Sequence, residues 1–203
     1  MGKRTQEEKS RDMRQRLIDA TLACLQECGY HGTSISGIID RAGVSRGAWR
    51  YHYSSKRDLV AAAAENFLTG PITKSDEMAA LLRVSDHPLQ TLVDYIWENF
   101  YQGPYRDVWL ELNVACRTDK ALQERLSPVI QSFFKVLDQL WRDHFTAVEN
   151  TATPIEALMN LTLYTMRGMA IQSISIDAPD YYRDLRAHWI EILTGLVRFS
   201  ARE

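Results

Sequence analysis

The sequence feature that most constrains the fold is a stretch over residues 33–56, which predicts two short helices joined by a tight turn. Ser34 is of a type that caps helix N-termini, and the isoleucines after it recur at helical spacing. Gly43 ends this helix where a positive φ is needed, and Ser45 can cap the next one. The stretch therefore predicts a helix-turn-helix.

The second helix of this motif combines donors with apolar anchors. Trp49 and Tyr53 are expected to hold the helix against the core, and the small Gly47 and Ala48 permit close approach to a groove. Donor side chains on this helix and at the start of the next are Arg46, Arg50, Tyr51, His52 and Lys56. Such donors bind phosphates and base edges when a recognition helix enters the major groove of DNA.

These residues resemble the N-terminal domain of TetR-family transcriptional regulators. The segments that carry the resemblance are Gly29-Tyr30, Thr33-Ser34-Ile35, Ala42-Gly43-Val44-Ser45, Gly47, Tyr51-His52-Tyr53 and Ser55-Lys56. The resemblance covers about residues 11 to 65. It implies a DNA-binding head followed by a helical domain that binds a ligand and forms a dimer. Arg50 departs from the family, which usually has tyrosine there.

The resemblance and the helix caps together predict the DNA contacts. They are Thr33, Ser34, Ser45, Arg46, Gly47, Ala48, Arg50, Tyr51, His52 and Lys56. Lys56 is expected to bind a phosphate, because the N-terminus of the helix that it opens also favours an anion. Arg50 either binds a guanine edge or pairs with a phosphate, and the sequence leaves both open. The alternative is an ordinary helical hairpin with no DNA function.

Charge is segregated along the chain, although its overall net charge is only −2. Residues 1–60 carry a net charge of +4, and the remainder carries −6. A basic end facing phosphates and an acidic remainder fit a DNA-binding protein. The chain has no run of 18 apolar residues, so we expect no membrane partner and a cytoplasmic location.

The rest of the chain predicts helices without competing strand patterns, so the fold class is all-α. The predicted division is a flexible basic arm over residues 1–10, a helix-turn-helix domain with a connector helix over 11–68, and a ligand-binding and dimerisation domain over 69–203. The arm either contacts DNA or is a disordered tail. The three cysteines lack zinc-site spacing and are expected to be buried. We predict no metal, no cofactor and no catalytic set.

Aromatic residues are concentrated between Tyr95 and Phe145, which holds ten of the twenty. This enrichment fits either a plain core or an apolar pocket with a few polar contacts. The resemblance favours a pocket for a small apolar or aromatic effector, with a lipophilic cation as a further candidate. The predicted lining residues are Trp97, Tyr101, Trp109, Asn113, Phe133 and Met166.

The last two predicted helices have apolar arcs too wide for packing on one side only. Either other helices of the same chain or a symmetric partner must cover them. We favour a homodimer that forms a four-helix bundle and binds a palindromic operator in double-stranded DNA. The predicted interface residues are Met159, Gly168, Trp189, Ile192, Leu193 and Leu196.

Two functions fit these features. One is a homodimeric, ligand-responsive transcriptional regulator, which the resemblance makes a repressor. The other is a helical small-molecule carrier or enzyme with an incidental helix-turn-helix. The basic residues of the second motif helix favour the regulator, because a carrier has no use for them.

Overall fold

The computed structural model describes residues 5–149 and 151–200, and within them the chain forms ten helices and one pair of short strands. The elements are α1 Gln6–Gly32, α2 Ile35–Ala42, α3 Arg46–His52, α4 Lys56–Thr73, α5 Ser75–Arg83, α6 Pro88–Phe100, α7 Gly103–Thr118, α8 Lys120–His144, β1 Phe145–Ala147, α9 Ile155–Gln172, α10 Pro179–Thr194 and β2 Val197–Phe199. The predicted all-α class is confirmed. None of the described helices is both long and apolar enough to cross a membrane.

The chain divides into two compact units. The first contains the residues up to Gly70 together with Asp107–Ser132, and the second contains Pro71–Arg106 and the residues from Phe133 onward. Residues of α7 and α8 therefore belong to both units. The sequence analysis assigned Asp107–Ser132 to the C-terminal domain, whereas the structure packs this segment with the N-terminal helices.

Two apolar clusters form the core of the first unit. One joins α1, α2 and α3 through Leu17, Ala20, Cys24, Ile38, Ile39, Ala42 and Trp49, with Leu59 from α4. The other joins α1 and α4 to α7 and α8 through Leu25, Tyr30, Val60, Ala64, Val108, Leu112, Ala115, Leu122 and Leu126. Because α4 contributes to both clusters, it connects the helix-turn-helix to α7 and α8.

Helix α1 begins at Gln6, inside the segment 1–10 that was predicted to be a flexible arm. Thr5 caps the helix by accepting a hydrogen bond from the Glu8 amide (3.2 Å), and the Glu8 carboxylate accepts one from the Thr5 amide (2.7 Å). This reciprocal capping box satisfies two amides at the helix start. Of the predicted flexible arm, residues 1–4 lie outside the described part of the chain.

Near its end, α1 breaks at Gly29. The backbone there has φ 66° and ψ 177°, an extended conformation with positive φ that differs from a left-handed helical cap. The Tyr30 amide, which follows the break, donates a hydrogen bond to Glu111 Oε2 (2.8 Å). A Cβ atom on residue 29 would lie 2.7 Å from the same oxygen. Both the dihedral angles and the close carboxylate therefore require glycine.

The second unit is built around an apolar core from α6, the end of α8, α9 and α10. Its fully buried members include Val93, Phe145, Met159, Met166 and Leu193. Strand β1 pairs antiparallel with β2, with Phe145 opposite Phe199. The sequence analysis missed this pair, because a three-residue strand gives too little alternation to detect.

Local features differ from the sequence prediction. Helix α4 continues beyond residue 68, the predicted end of the connector helix, to Thr73, and α8 is continuous across Pro128. Cys28 is exposed, whereas Cys24 is buried as predicted. The two cysteines are one helical turn apart on the same face, so they differ in position along the helix axis: Cys24 packs in the α1–α2–α3 cluster, and Cys28 is not part of it.

The Gly29 conformation generates a stability prediction. We expect Gly29→Ala to lower the free energy of unfolding by about 2 kcal/mol or more, because it strains the backbone and displaces Glu111 from the Tyr30 amide. Gly70→Ala is the matched control, since a Cβ there meets nothing within 4 Å and α4 is helical at that point. It should raise stability by roughly 0.5–1 kcal/mol. Urea denaturation measures the free energy of unfolding of both variants. Equal changes in the two would contradict the requirement for glycine at residue 29.

Candidate DNA-binding site

The helix-turn-helix forms as its caps predicted. Ser34 accepts a hydrogen bond from the Gly37 amide (3.1 Å) at the start of α2, and Ser45 accepts one from the Ala48 amide (3.1 Å) at the start of α3. Gly43 joins the two helices with φ 61° and ψ 40°, the left-handed conformation that glycine adopts without steric cost. These local interactions fix the direction in which α3 leaves the turn.

Helix α1 holds this turn from the other side through Arg16. Its Nη2 donates to the carbonyl oxygens of Ala42 (2.5 Å) and Gly43 (2.9 Å), the last carbonyls of α2. A cation at this position also opposes the negative end of the helix dipole. Arg16 could not be recognised from local sequence, because its partners lie 26 and 27 residues away.

The predicted DNA-contact residues differ in their exposure to solvent. Ser34, Ser45, Arg46, Gly47, Arg50 and Tyr51 are exposed, and Ala48, His52 and Lys56 are half-buried. Trp49 is buried and Tyr53 half-buried against the α1–α2–α3 core, as predicted. Thr33 is also buried, and its hydroxyl donates to the Gly29 carbonyl (2.7 Å) instead of pointing to solvent. In the isolated chain, Thr33 therefore acts as a structural cap at the end of α1.

The exposed tip of α3 lies beside the first turns of α1. Tyr51 is 82% exposed and borders a groove of about 400 Å³ whose walls include Arg11 and Arg14. Arg14 Nε donates to His52 Nδ1 (3.3 Å). Burial and the neighbouring Arg14 charge both lower the pKa of His52. The basic surface therefore extends from α3 onto α1, beyond the residues that the sequence predicted.

Lys56 is placed differently from the freely exposed cation that a phosphate contact suggests. Its Nζ donates to the Tyr30 carbonyl oxygen (2.5 Å) and lies 4.1 Å from the centre of the Tyr30 ring. Burial lowers the pKa of this ammonium. A lysine ammonium has three N–H donors, so one bond to Tyr30 leaves two for another acceptor.

Tyr30 binds two acidic residues, Asp119 through its hydroxyl and Glu111 through its amide. Its hydroxyl donates to Asp119 Oδ2 (2.7 Å), and Arg57 Nε donates to the same carboxylate (2.9 Å). Hydrogen bonds from Tyr30 and Arg57 lower the pKa of Asp119 to about 2, while burial and Asp119 raise the pKa of Tyr30 to about 12. With Glu111 on the Tyr30 amide, this polar cluster joins α1, α4 and α7 beneath the DNA-binding motif.

The six predicted effector-binding residues divide between the two units. Trp97, Tyr101, Phe133 and Met166 lie in the second unit, while Trp109 and Asn113 lie on the part of α7 that belongs to the first. Within the second unit, the Tyr101 hydroxyl donates to the Leu163 carbonyl (2.9 Å). As the lining of an effector pocket, this set stays a prediction.

The six predicted interface residues differ in exposure. Met159 and Leu193 are buried in the core of their own chain, whereas Ile192 is 56% exposed and Gly168 has open space around the position of a Cβ. Trp189 and Leu196 are half-buried. Large apolar side chains also exposed on α9 and α10 are Leu161, Tyr164, Ile171 and Tyr181. Exposed apolar surface on these two helices is therefore wider than the predicted set.

Metal binding was not predicted for this chain. Within residues 5–149 and 151–200, no three His, Cys, Asp or Glu side chains come together as a metal site requires.

Comparison with known proteins places this geometry in a family. The family model for bacterial regulatory proteins of the tetR family matches residues 17–63, which run from α1 through the helix-turn-helix into α4. The HTH-type transcriptional regulator CymR of Pseudomonas putida is 28% identical over 190 residues, which cover 94% of this chain and 93% of CymR.

Solved structures share the fold over nearly the whole chain. A TetR transcription regulator from Haloarcula marismortui has a TM-score of 0.66 at 19% identity, covering 93% of this chain and 100% of its own. The transcriptional regulator FadR from Bacillus subtilis was solved in complex with stearoyl-CoA. It has a TM-score of 0.64 at 17% identity, and the match covers 89% of this chain and 98% of the FadR chain. The capped helix-turn-helix, the family match over it and the shared helical fold agree, and the chain belongs to the TetR family of DNA-binding transcriptional regulators.

Proposed function

We propose that the protein is a homodimeric transcriptional repressor that a small molecule releases from a palindromic operator. The observation that carries this proposal is the exposed donor surface of α3, where Arg46, Arg50 and Tyr51 project beside a turn held by Arg16. Side chains that reach base edges need a rigidly held helix, because a helix that rocks on its support loses geometric selectivity.

Each head would place α3 in a major groove and bind the phosphates on either side. Arg46 and Lys56, at the starts of α3 and α4, suit phosphate contacts, because helix N-termini also attract anions. Arg50 lies further along α3 and is exposed. We assign it to base readout, since a guanidinium can bind the O6 and N7 atoms of a guanine with two hydrogen bonds.

The dimer would form through the exposed apolar faces of α9 and α10. A soluble monomer rarely exposes this many large apolar side chains on two neighbouring helices. The open space at Gly168 allows a partner helix to approach the α9 backbone closely. Two heads related by a two-fold axis would then read two half-sites, which gives the specificity that one helix-turn-helix lacks.

Release requires an effector that binds better to the conformation with wrongly spaced heads, because equal affinity for both conformations shifts nothing. The FadR structure with stearoyl-CoA supports a ligand-binding role for the shared fold. We propose α7 as the transmitting element. Its residue Glu111 holds the Tyr30 amide, and its apolar face packs against α4 at Val60 and Ala64. A shift of α7 would therefore move the connector helix and the head together.

Operator binding tests the proposal directly. We expect the purified protein to bind DNA from upstream of its own gene more tightly than random DNA. Lys56→Ala should weaken binding to upstream DNA and to random DNA equally. It should also lower the slope of log affinity against log salt by roughly one unit per lost phosphate contact. Arg41→Ala is the control, because Glu27 already pairs with Arg41. Fluorescence anisotropy at several salt concentrations measures the slopes. Equal binding to upstream and random DNA would contradict the proposed function.

Arg50 should determine sequence preference. We expect Arg50→Ala to cost about 1–3 kcal/mol of discrimination at one operator position and to relax the preference there, because the two hydrogen bonds to a guanine are lost. Selection of binding sites from a random DNA pool measures the preference for wild type and mutant. A uniform loss of affinity with every position unchanged would make Arg50 a phosphate contact instead.

The proposed dimer surface predicts which substitutions separate the protomers. Gly168→Leu and Ile192→Glu should both give folded monomers, because residue 168 has open space and residue 192 is exposed within its own chain. Val84→Glu is the control, since Val84 is 81% exposed but lies outside α9 and α10. Analytical ultracentrifugation across a range of concentrations measures the assembly. Stable dimers of both interface variants would refute this placement.

A further inference from the structure

The second unit contains a cavity of about 520 Å³ between the end of α6 and the start of α10. This volume is in the range of small-molecule binding sites. Its lining includes Trp97 and the three arginines Arg106, Arg183 and Arg186. Of these residues, the sequence analysis identified only Trp97. The arginines come from two separate stretches of the chain, Arg106 on α7 and Arg183 and Arg186 on α10, so no local pattern predicts that they meet.

Arg186 is the most buried of the charged groups at this cavity whose exposure the structure gives. Its side chain is 12% exposed, and its guanidinium lies 4.2 Å from the centre of the Trp97 ring. The Asp94 carboxylate is 4.0 Å from Arg186 Nε, which is too long for a hydrogen bond. Within the described residues, this buried Nε has no hydrogen-bond partner. A buried N–H donor without an acceptor is costly, and an anion in the cavity could accept from this Nε and remove that cost.

Tyr182 adds a second unsatisfied donor to the same lining. The residue is 3% exposed, and among the described residues its hydroxyl has no hydrogen-bond partner. Buried hydroxyls in folded proteins are nearly always paired. Arg186 and Tyr182 are one helical turn apart on α10, which places them on the same face of that helix. A single acceptor group can therefore be expected to serve both.

The acidic residues at this cavity do not cancel the buried positive charge. Glu98 and Asp177 also line it, but both are exposed to solvent. Arg183 is exposed as well, and it pairs with Asp180 (2.6 Å). Exposed charges interact weakly through water, so the buried Arg186 dominates the local field. A lipophilic cation, which the sequence left as a candidate effector, would meet a like charge here.

We propose that this cavity binds a small organic carboxylate, whose oxygens accept hydrogen bonds from Arg186 and Tyr182 and whose apolar part packs beside Trp97. Charge-assisted hydrogen bonds between arginine and carboxylate are among the strongest in proteins, and they would anchor one end of the ligand. The proposal rests on the proposed function in one respect, because it names the class of the effector. Binding itself can be tested without DNA.

Matched ligands test the charge requirement. The probes are monocarboxylates from butyrate to decanoate together with phenylacetate, each paired with its amide and with an amine of the same size. We expect at least one carboxylate to raise the melting temperature and to bind about tenfold or more tightly than its amide in calorimetry, with the amine weaker still. If no carboxylate binds more tightly than its amide, or if an amine binds best, the proposal is wrong.

Two substitutions test the assigned donors. Tyr182→Phe removes only an unpartnered hydroxyl, so it should leave the ligand-free protein as stable as wild type and weaken carboxylate binding about tenfold. Arg186→Met keeps an apolar stem and should weaken binding roughly thirtyfold or more. Arg83→Met, which removes an exposed arginine from α5, is the control and should bind normally. The proposal is overturned if Tyr182→Phe and a folded Arg186→Met both bind the carboxylate with wild-type affinity. If Arg186→Met does not fold, Tyr182→Phe decides alone.

A DNA-release assay separates this site from the proposed function. The carboxylate that binds in calorimetry is added to the complex of the protein with its operator. Release that is lost in Tyr182→Phe supports both the site and its regulatory role. Binding that depends on Tyr182 without any release leaves the anion site standing and refutes effector-controlled repression.

Discussion

The arrangement of the first unit depends on the hydrogen bonds of one residue, Tyr30, just after the break in α1. Its amide is held by Glu111, its carbonyl by Lys56 and its hydroxyl by Asp119. Three helices are therefore tied to a single backbone position that only a glycine at residue 29 makes possible. The three bonds are partly buried, which limits competition by water and favours their acting together.

The sequence predicted those parts of the fold whose causes lie within a few residues. Ser34, Gly43 and Ser45 determine the helix-turn-helix locally, and the structure contains the caps and the positive φ that they indicated. The polar cluster around Tyr30 joins residues 81 and 89 positions apart, and no local pattern encodes such pairs. For the same reason, the membership of α7 in the first unit became visible only in the structure.

The candidate sites follow the same division between local and distant causes. The exposed donors of α3 could be named from the sequence, because helical spacing and the family resemblance place them on one short element. The burial of Thr33 and the contact of Lys56 with Tyr30 could not, since both depend on where α1 ends. Likewise, an aromatic-rich segment indicated an apolar pocket, but a buried arginine on α10 changes the chemistry of the cavity.

The contact between Arg14 and His52 fixes the tautomer of a histidine on the recognition helix. Arginine has only donors, so His52 Nδ1 must accept, and the proton of the neutral ring must lie on Nε2. Burial and the Arg14 charge also lower the pKa of His52, so both favour the neutral ring. The neutral imidazole then carries an uncharged Nε2 donor whose direction is set by the Arg14 contact. The lowered pKa therefore makes the charge of α3 less sensitive to acidification than an ordinary histidine would make it.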